Sequence, residues 1–242
     1  MDLGCTRRSL LALLSAAPLL AGGFWEKRRF PNWSENDILR LLTDSPWAKT
    51  EHKELDFHKY APKGPVTWKE LGIPGNPQAP TISGGSPVGG IGVPRNKDRV
   101  EVNINVRWSS ALPVRQAALL HKYGRAEMES EQVRRELEKK EKFYVLDVSG
   151  IPSMVAYLGV AEMQSQVYGT ARLFVGKKLK IKPESAYVRN LGAKIAVTVR
   201  FPKTEPITRK HGEVEFWMKS GPLEVLRSFK PKSMIYHGRL EL

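Results

Sequence analysis

Residues 99–108 alternate without a break: Val100, Val102, Ile104, Val106 and Trp108 share one parity, and Glu101, Asn103, Asn105 and Arg107 the other. Successive side chains of a strand point to opposite faces, so this run is a half-buried strand with one wet face, the pattern of an antiparallel sheet. The same short period returns after Arg172, over 172–175, 178–181, 186–189, 194–201, 213–219 and 223–229, broken by Gly176, Gly192, Gly212 and Gly221-Pro222. Residues 143–148 are apolar enough for a buried strand, and the tail over 233–242 offers one more. Evenly spaced short strands of this kind fold as a sandwich or a strongly curved sheet.

Two helical segments are expected around that body. Ser34 fits an N-cap, with Asp37 three residues on as its capping-box partner, and Trp33 and Ile38 have the spacing of a hydrophobic staple. Ile38, Leu41 and Leu42 then lie on one helical face, and Ser45-Pro46 ends the helix, because a residue before proline is pushed out of the α region. Trp25, Trp33 and Trp47 make this segment a docking face for the body of the protein. Pro113 opens a second helical stretch, read as one long helix to about Lys142, with interleaved pairs such as Glu131–Arg135 and Glu136–Lys140. Gly150-Ile151-Pro152 turns the chain into a short helix that ends near Val160. The expected fold is therefore α+β: a mainly antiparallel β-sandwich or curved sheet, a docked N-terminal helix and a long charged helix inserted between two strands. A βαβ arrangement of the strands around that helix is the competing topology.

The N-terminus reads as an address. Arg7 and Arg8 precede the apolar run from Leu10 to Ala21, and Gly22-Gly23 follows it. A basic segment, about a dozen apolar residues and a small-residue exit make a secretory signal peptide, and the run is too short to span a bilayer. Thr6-Arg7-Arg8-Ser9-Leu10-Leu11 resembles a twin-arginine export signal, although Leu10 replaces the usual Phe. The general secretory route is the alternative. Cleavage before Phe24 would remove Cys5, the one cysteine, and leave a mature chain without thiols or a transmembrane span. The expected organisation is a signal peptide over 1–23, a tryptophan-rich helical segment over 24–60, a Pro/Gly-rich loop over 61–98 and an α+β body over 99–242. The expected location is the periplasm or outside the cell.

Chemistry is harder to find. His52, Asp56 and His58 would share one face of a strand, which makes them weak candidate metal ligands, but His52 and His58 lack the i,i+4 spacing of a helical metal pair. His121, His211 and His237 have no flanking signature, no Gly-x-Ser-x-Gly elbow occurs, and the glycine run over 83–92 lacks the Lys-Ser/Thr ending of a phosphate loop. No catalytic residue, metal or cofactor is assigned. Charge remains: 39 Lys and Arg against 25 Asp and Glu give a formal net charge of +14. The basic residues are dispersed and no nucleic-acid fold signature appears, so nucleic acid is not an expected partner. The candidate contacts for an anionic surface are Lys178, Lys180 and Lys182 on one hairpin, where alternate residues point to one face, and Arg227, Lys230 and Lys232 near the end.

Three short pieces carry a likeness: Trp33-Ser34 with Ile38 and 41–48, then 106–113, then 229–236. They resemble an uncharacterised family of predicted-secreted bacterial proteins, distantly similar to proteins placed beside the GWxTD-domain proteins. The Gly-Trp-x-Thr-Asp motif itself is absent, so that name is not carried over. The resemblance implies export and a shared fold and brings no chemistry. The expected function is that of an exported, non-catalytic envelope protein binding a protein partner or an anionic envelope polymer. An exported hydrolase with a dispersed active site is the alternative.

Overall fold

A computed structural model describes residues 23–56, 99–176 and 178–242. The expected signal peptide, with Arg7 and Arg8, the Pro/Gly-rich loop, His58 and Lys177 lie outside the described residues.

The protein is α+β and mostly antiparallel β. In chain order it runs α1 (Phe24–Lys27), α2 (Glu35–Thr43), β1 (Ala48–Asp56), β2 (Arg99–Trp108), α3 (Leu112–Tyr123), α4 (Glu131–Glu138), β3 (Phe143–Pro152) and α5 (Val160–Thr170). The second half supplies β4 (Arg172–Val175), β5 (Leu179–Ile181), β6 (Ser185–Asn190), β7 (Lys194–Pro202), β8 (Val214–Ser220) and β9 (Leu223–Phe229), then the small hairpin β10 (Ile235–Tyr236) and β11 (Arg239–Leu240). A five-stranded sheet has the order β1-β2-β3-β7-β6, and a four-stranded sheet the order β5-β4-β8-β9. Every strand pairing among the described residues is antiparallel, β2 with β3 included, so the βαβ alternative is excluded: the helices between those strands join antiparallel neighbours.

The two sheets meet face to face over a core built from one parity of each strand. Ile104, Val106 and Trp108 of β2, Leu146 and Val148 of β3, and Ile195, Val197, Val199 and Phe201 of β7 face Leu173 and Val175 of β4, Phe216 and Met218 of β8, and Val225 and Phe229 of β9. Edge-to-face ring pairs mark the junction, Trp108 with Phe229 at 5.5 Å and Phe201 with Phe216 at 6.2 Å. In β3 the pairing with β7 slips between Val148 and Ile151, so β3 carries one extra residue there. That bulge returns Ile151 to the inner face, opposite Ile195, where a straight count would turn it to solvent.

The α2 capping box forms as expected. Ser34 Oγ accepts from the Asp37 amide at 3.2 Å, and the Asp37 carboxylate accepts from the Ser34 amide at 3.0 Å. Burial alone would raise the Asp37 pKa; the Ser34 hydrogen bonds and the Arg28 guanidinium outweigh it and hold the carboxyl below its ordinary value. Trp33 and Trp47 are fully buried. Each indole N–H reaches a backbone carbonyl, that of Arg28 at 3.0 Å and that of Glu241 at 2.8 Å.

Two helical expectations need correction. The long charged helix is instead two helices: α3 stops at Gly124, whose φ is +74°, and α4 starts afresh with Ser130 Oγ accepting from the Val133 amide. An unbroken helix of about 30 residues would extend roughly 45 Å and strand its apolar residues. Folding back instead buries Met128 and Val133, and Arg115 clamps the return by donating to the carbonyls of Glu136 and Lys139. Glu131 and Arg135 do pair along α4, whereas Lys140 lies beyond its end. The helix expected to finish near Val160 in fact begins there. Only a 3-10 turn over Ser153–Ala156 follows Pro152, and α5 then packs across β6 and β8. Gln164 of α5 accepts from the Val188 amide on the β6 edge, and Gln166 from Ser220 and the Gly221 amide, so this helix covers an otherwise open sheet edge.

Candidate anion-binding face

The outer face of the four-stranded sheet is composed by strand pairing. Lys180 of β5 lies opposite Phe174 of β4, Phe174 opposite Glu215 of β8, and Glu215 opposite Ser228 of β9. The next row down holds Arg172, Trp217 and Leu226, and the row after it Lys219 and Glu224. Lys178, Lys180 and Lys182 are exposed, while Ile181, between the last two, is buried. Burial of Ile181 turns Lys180 to the outer face, while Lys178 and Lys182 lie just outside β5 on either side. Five cations, Arg172, Lys178, Lys180, Lys182 and Lys219, surround two partly covered aromatic rings on this surface. The Lys180 ammonium stands 5.4 Å from the Phe174 ring centre.

Two carboxylates of the face make hydrogen bonds, and exposed Glu213 continues the same parity just before β8. Glu224 accepts from the Trp217 indole at 2.6 Å, and Glu215 from Ser228 Oγ at 3.3 Å. Those donors are neutral and leave the carboxylates charged, so the face is net positive only because Arg172, Lys178, Lys180, Lys182 and Lys219 outnumber Glu213, Glu215 and Glu224. Arg172, Phe174, Trp217 and Lys219 escaped the sequence reading. Their parity was visible in each strand, but only the strand order β5-β4-β8-β9 places them beside the lysines.

The other candidate residues are scattered. Arg227 shares the inward parity of Leu223, Val225 and Phe229, so it enters the sandwich and pairs with Glu51 of β1. Its guanidinium is held below its ordinary pKa by burial, partly offset by the Glu51 charge. Lys230 stands at the end of β9 and lines a cleft against β1 and α2, while Lys232 is exposed on the following 3-10 turn. The three residues thus occupy three different surroundings, although six positions span them.

His52 lies on the outer face of β1, exposed, with Nδ1 3.0 Å from Asn103 Oδ1 and Nε2 3.5 Å from a Glu101 oxygen. Asp56 sits opposite Arg99 at the far end of the same strand. Among the described residues no group of three or more His, Cys, Asp or Glu is placed to hold a metal ion. No described helix is long and apolar enough to cross a membrane.

The molecule so defined is a two-sheet α+β sandwich carrying one basic, aromatic-studded outer face. No family model, curated protein or solved structure matches the chain. The likeness seen in the sequence accordingly brings no residue role to this face.

Proposed function

We propose that this is an exported, non-catalytic protein of the cell envelope that binds an anionic polymer across the outer face of its four-stranded sheet. The observation that carries this reading is the excess of cations, Lys178, Lys180, Lys182, Arg172 and Lys219, over carboxylates on the sheet face that bears Phe174 and Trp217. Cations spaced on a rigid sheet attract an anionic chain through forces that reach about 8 Å at physiological ionic strength. The partly covered rings of Phe174 and Trp217 add contact for the apolar faces of sugar rings, and so favour an acidic glycan over bare mineral anions. The export expected from Arg7, Arg8 and the apolar run after them is consistent with the same setting, since acidic polymers are abundant surface components of an envelope.

Polygalacturonate serves as the probe. The triple variant Lys178→Gln/Lys180→Gln/Lys182→Gln is expected to bind it about tenfold more weakly, because three exposed ion contacts of roughly 0.5 kcal/mol each add to about one decade. Wild-type affinity should fall as salt rises, and the triple variant should lose part of that slope. Affinity independent of salt, or unchanged in the variant, would remove the basis for the proposal. Tighter binding of a single-stranded oligonucleotide than of polygalacturonate would replace the glycan with nucleic acid.

Export is tested separately. Residues 1–30 fused to a reporter that folds before translocation are expected to carry it out of the cytoplasm, and Arg7→Lys/Arg8→Lys is expected to hold it inside. A reporter that moves equally well with both lysines takes the general secretory route instead.

A further inference from the structure

The four-stranded and five-stranded sheets do not close into a barrel. On one side the edges of β1 and β9, unpaired among the described residues, face each other and are bridged by side chains: Glu51 with Arg227, and Lys53 donating to the Glu224 carbonyl. Where those bridges stop, beside the end of β9, the gap opens into a cleft of about 450 Å³. Three cations from distant parts of the chain line it: Arg40 of α2, Lys49 of β1 and Lys230 after β9. Trp25 forms one wall, its ring set edge-on against buried Trp47 at 5.2 Å.

We propose that this cleft is a binding site for a soluble organic phosphate monoester, its phosphate held by Arg40, Lys49 and Lys230 and its apolar or ring-bearing body against Trp25. The site adjoins the sheet face proposed above at Ser228 but uses different cations, so neither proposal depends on the other. Charge sets the class of anion. The one carboxylate in the cleft, Asp44, is 3.8 Å from Lys49 and offsets a single charge. Two positive charges remain uncompensated, which matches a phosphate monoester, close to a dianion at neutral pH, better than a single carboxylate.

The polar groups around the cations leave them free for this task. Ser45 Oγ donates to the Leu41 carbonyl, Ser228 Oγ to Glu215 and Ser233 Oγ to the Lys230 carbonyl, so the hydroxyls of the lining are spent on the protein itself. The C-terminal carbonyls of α2, which would repel an anion, are covered as well. The Arg40 carbonyl accepts from the Asp44 amide, and the Thr43 carbonyl from Thr50 and Asn105. Volume then argues for an organic body. A space of about 450 Å³ falls within the range of small-molecule pockets and far exceeds one phosphate group. The wall it offers beyond the cations is an indole.

Calorimetric titration of the whole protein with 1-naphthyl phosphate tests the assignment, with inorganic phosphate, neutral 1-naphthol and phosphatidic acid vesicles as the other arms. One equivalent of naphthyl phosphate is expected to bind, more tightly than inorganic phosphate, with no heat from naphthol. Arg40→Gln and Lys230→Gln, both at exposed positions that leave the core intact, should each weaken it about tenfold through loss of a charge-assisted hydrogen bond. Lys180→Gln, on the sheet face, should leave it unchanged, so failure of either proposed site is read independently. Binding of vesicles in preference to the soluble ester would assign the phosphate to a lipid headgroup and overturn the soluble ligand. No binding of naphthyl phosphate, binding no tighter than inorganic phosphate, or binding indifferent to Arg40→Gln and Lys230→Gln would each overturn the site.

Discussion

Alanine at Gly150 is expected to cost the fold about 3–4 kcal/mol, a large part of the 5–15 kcal/mol that holds a typical domain together. Gly150 sits in the bulge of β3 with φ +87°, a region an L side chain rarely enters. A methyl group there would lie 2.0 Å from the Asn103 carbonyl oxygen and 3.1 Å from its carbon. That obstacle is backbone of the adjacent strand and cannot rotate aside, so relief requires prising β2 from β3 beside the Asn105–Ser149 pair. Gly124→Ala is the control. It has a comparable φ of +74° with ψ 173°, a region essentially reserved for glycine, but open space around its added carbon, and should cost about 2 kcal/mol from backbone strain alone. Urea unfolding of the two variants separates strain from collision. Equal midpoints would mean that β2 and β3 do not approach at Gly150 as described.

How far the fold was legible depends on what each segment buries. β2 and the strands after Arg172 announce themselves because one parity is apolar and the turns between them carry glycine. β1 does not, because its inward positions include Lys49, Glu51 and Lys53, whose stems cover the open sandwich edge while their charges find partners there. A polar inner face erases the alternation that periodicity reads. The α3–α4 break was carried by Gly124 and by Met128 and Val133, apolar residues too widely spaced to define a helical face until the chain folds back. α5 was missed because only Met163 and Val167 are buried along it, and its other fixed contacts run through Gln164 and Gln166.

The same logic separates the two proposed sites. Lys178, Lys180 and Lys182 are neighbours in one hairpin, so parity alone sets them side by side. Arg40, Lys49 and Lys230 converge only when the β1 edge of one sheet meets the β9 edge of the other. No local pattern encodes that meeting. Arg227 marks the limit of reasoning from nearness in sequence: grouped with Lys230 and Lys232 by position, it is assigned by parity to the core.

That inward arginine leads to the second large effect. The Arg227 side chain is 16% exposed and its partner Glu51 33% exposed, and the two atoms that meet are both buried. Removing one member leaves the other charge partly desolvated without a counter-ion. Full burial makes such a loss worth 3–5 kcal/mol, and the exposure of Glu51 brings the expected cost of Arg227→Met to about 2 kcal/mol. Glu51→Leu should cost a similar amount, because it leaves the guanidinium, the more buried partner, alone between the sheets. The double variant is expected to recover most of the loss, since an apolar pair closes the same edge without desolvating charge. Unfolding free energies of the four proteins give the coupling directly, expected to be about 3 kcal/mol. Additive losses would show that the pair does not hold the open edge of the sandwich, and the cleft beside it would then lack the rigid wall that aligns Lys49 with Lys230.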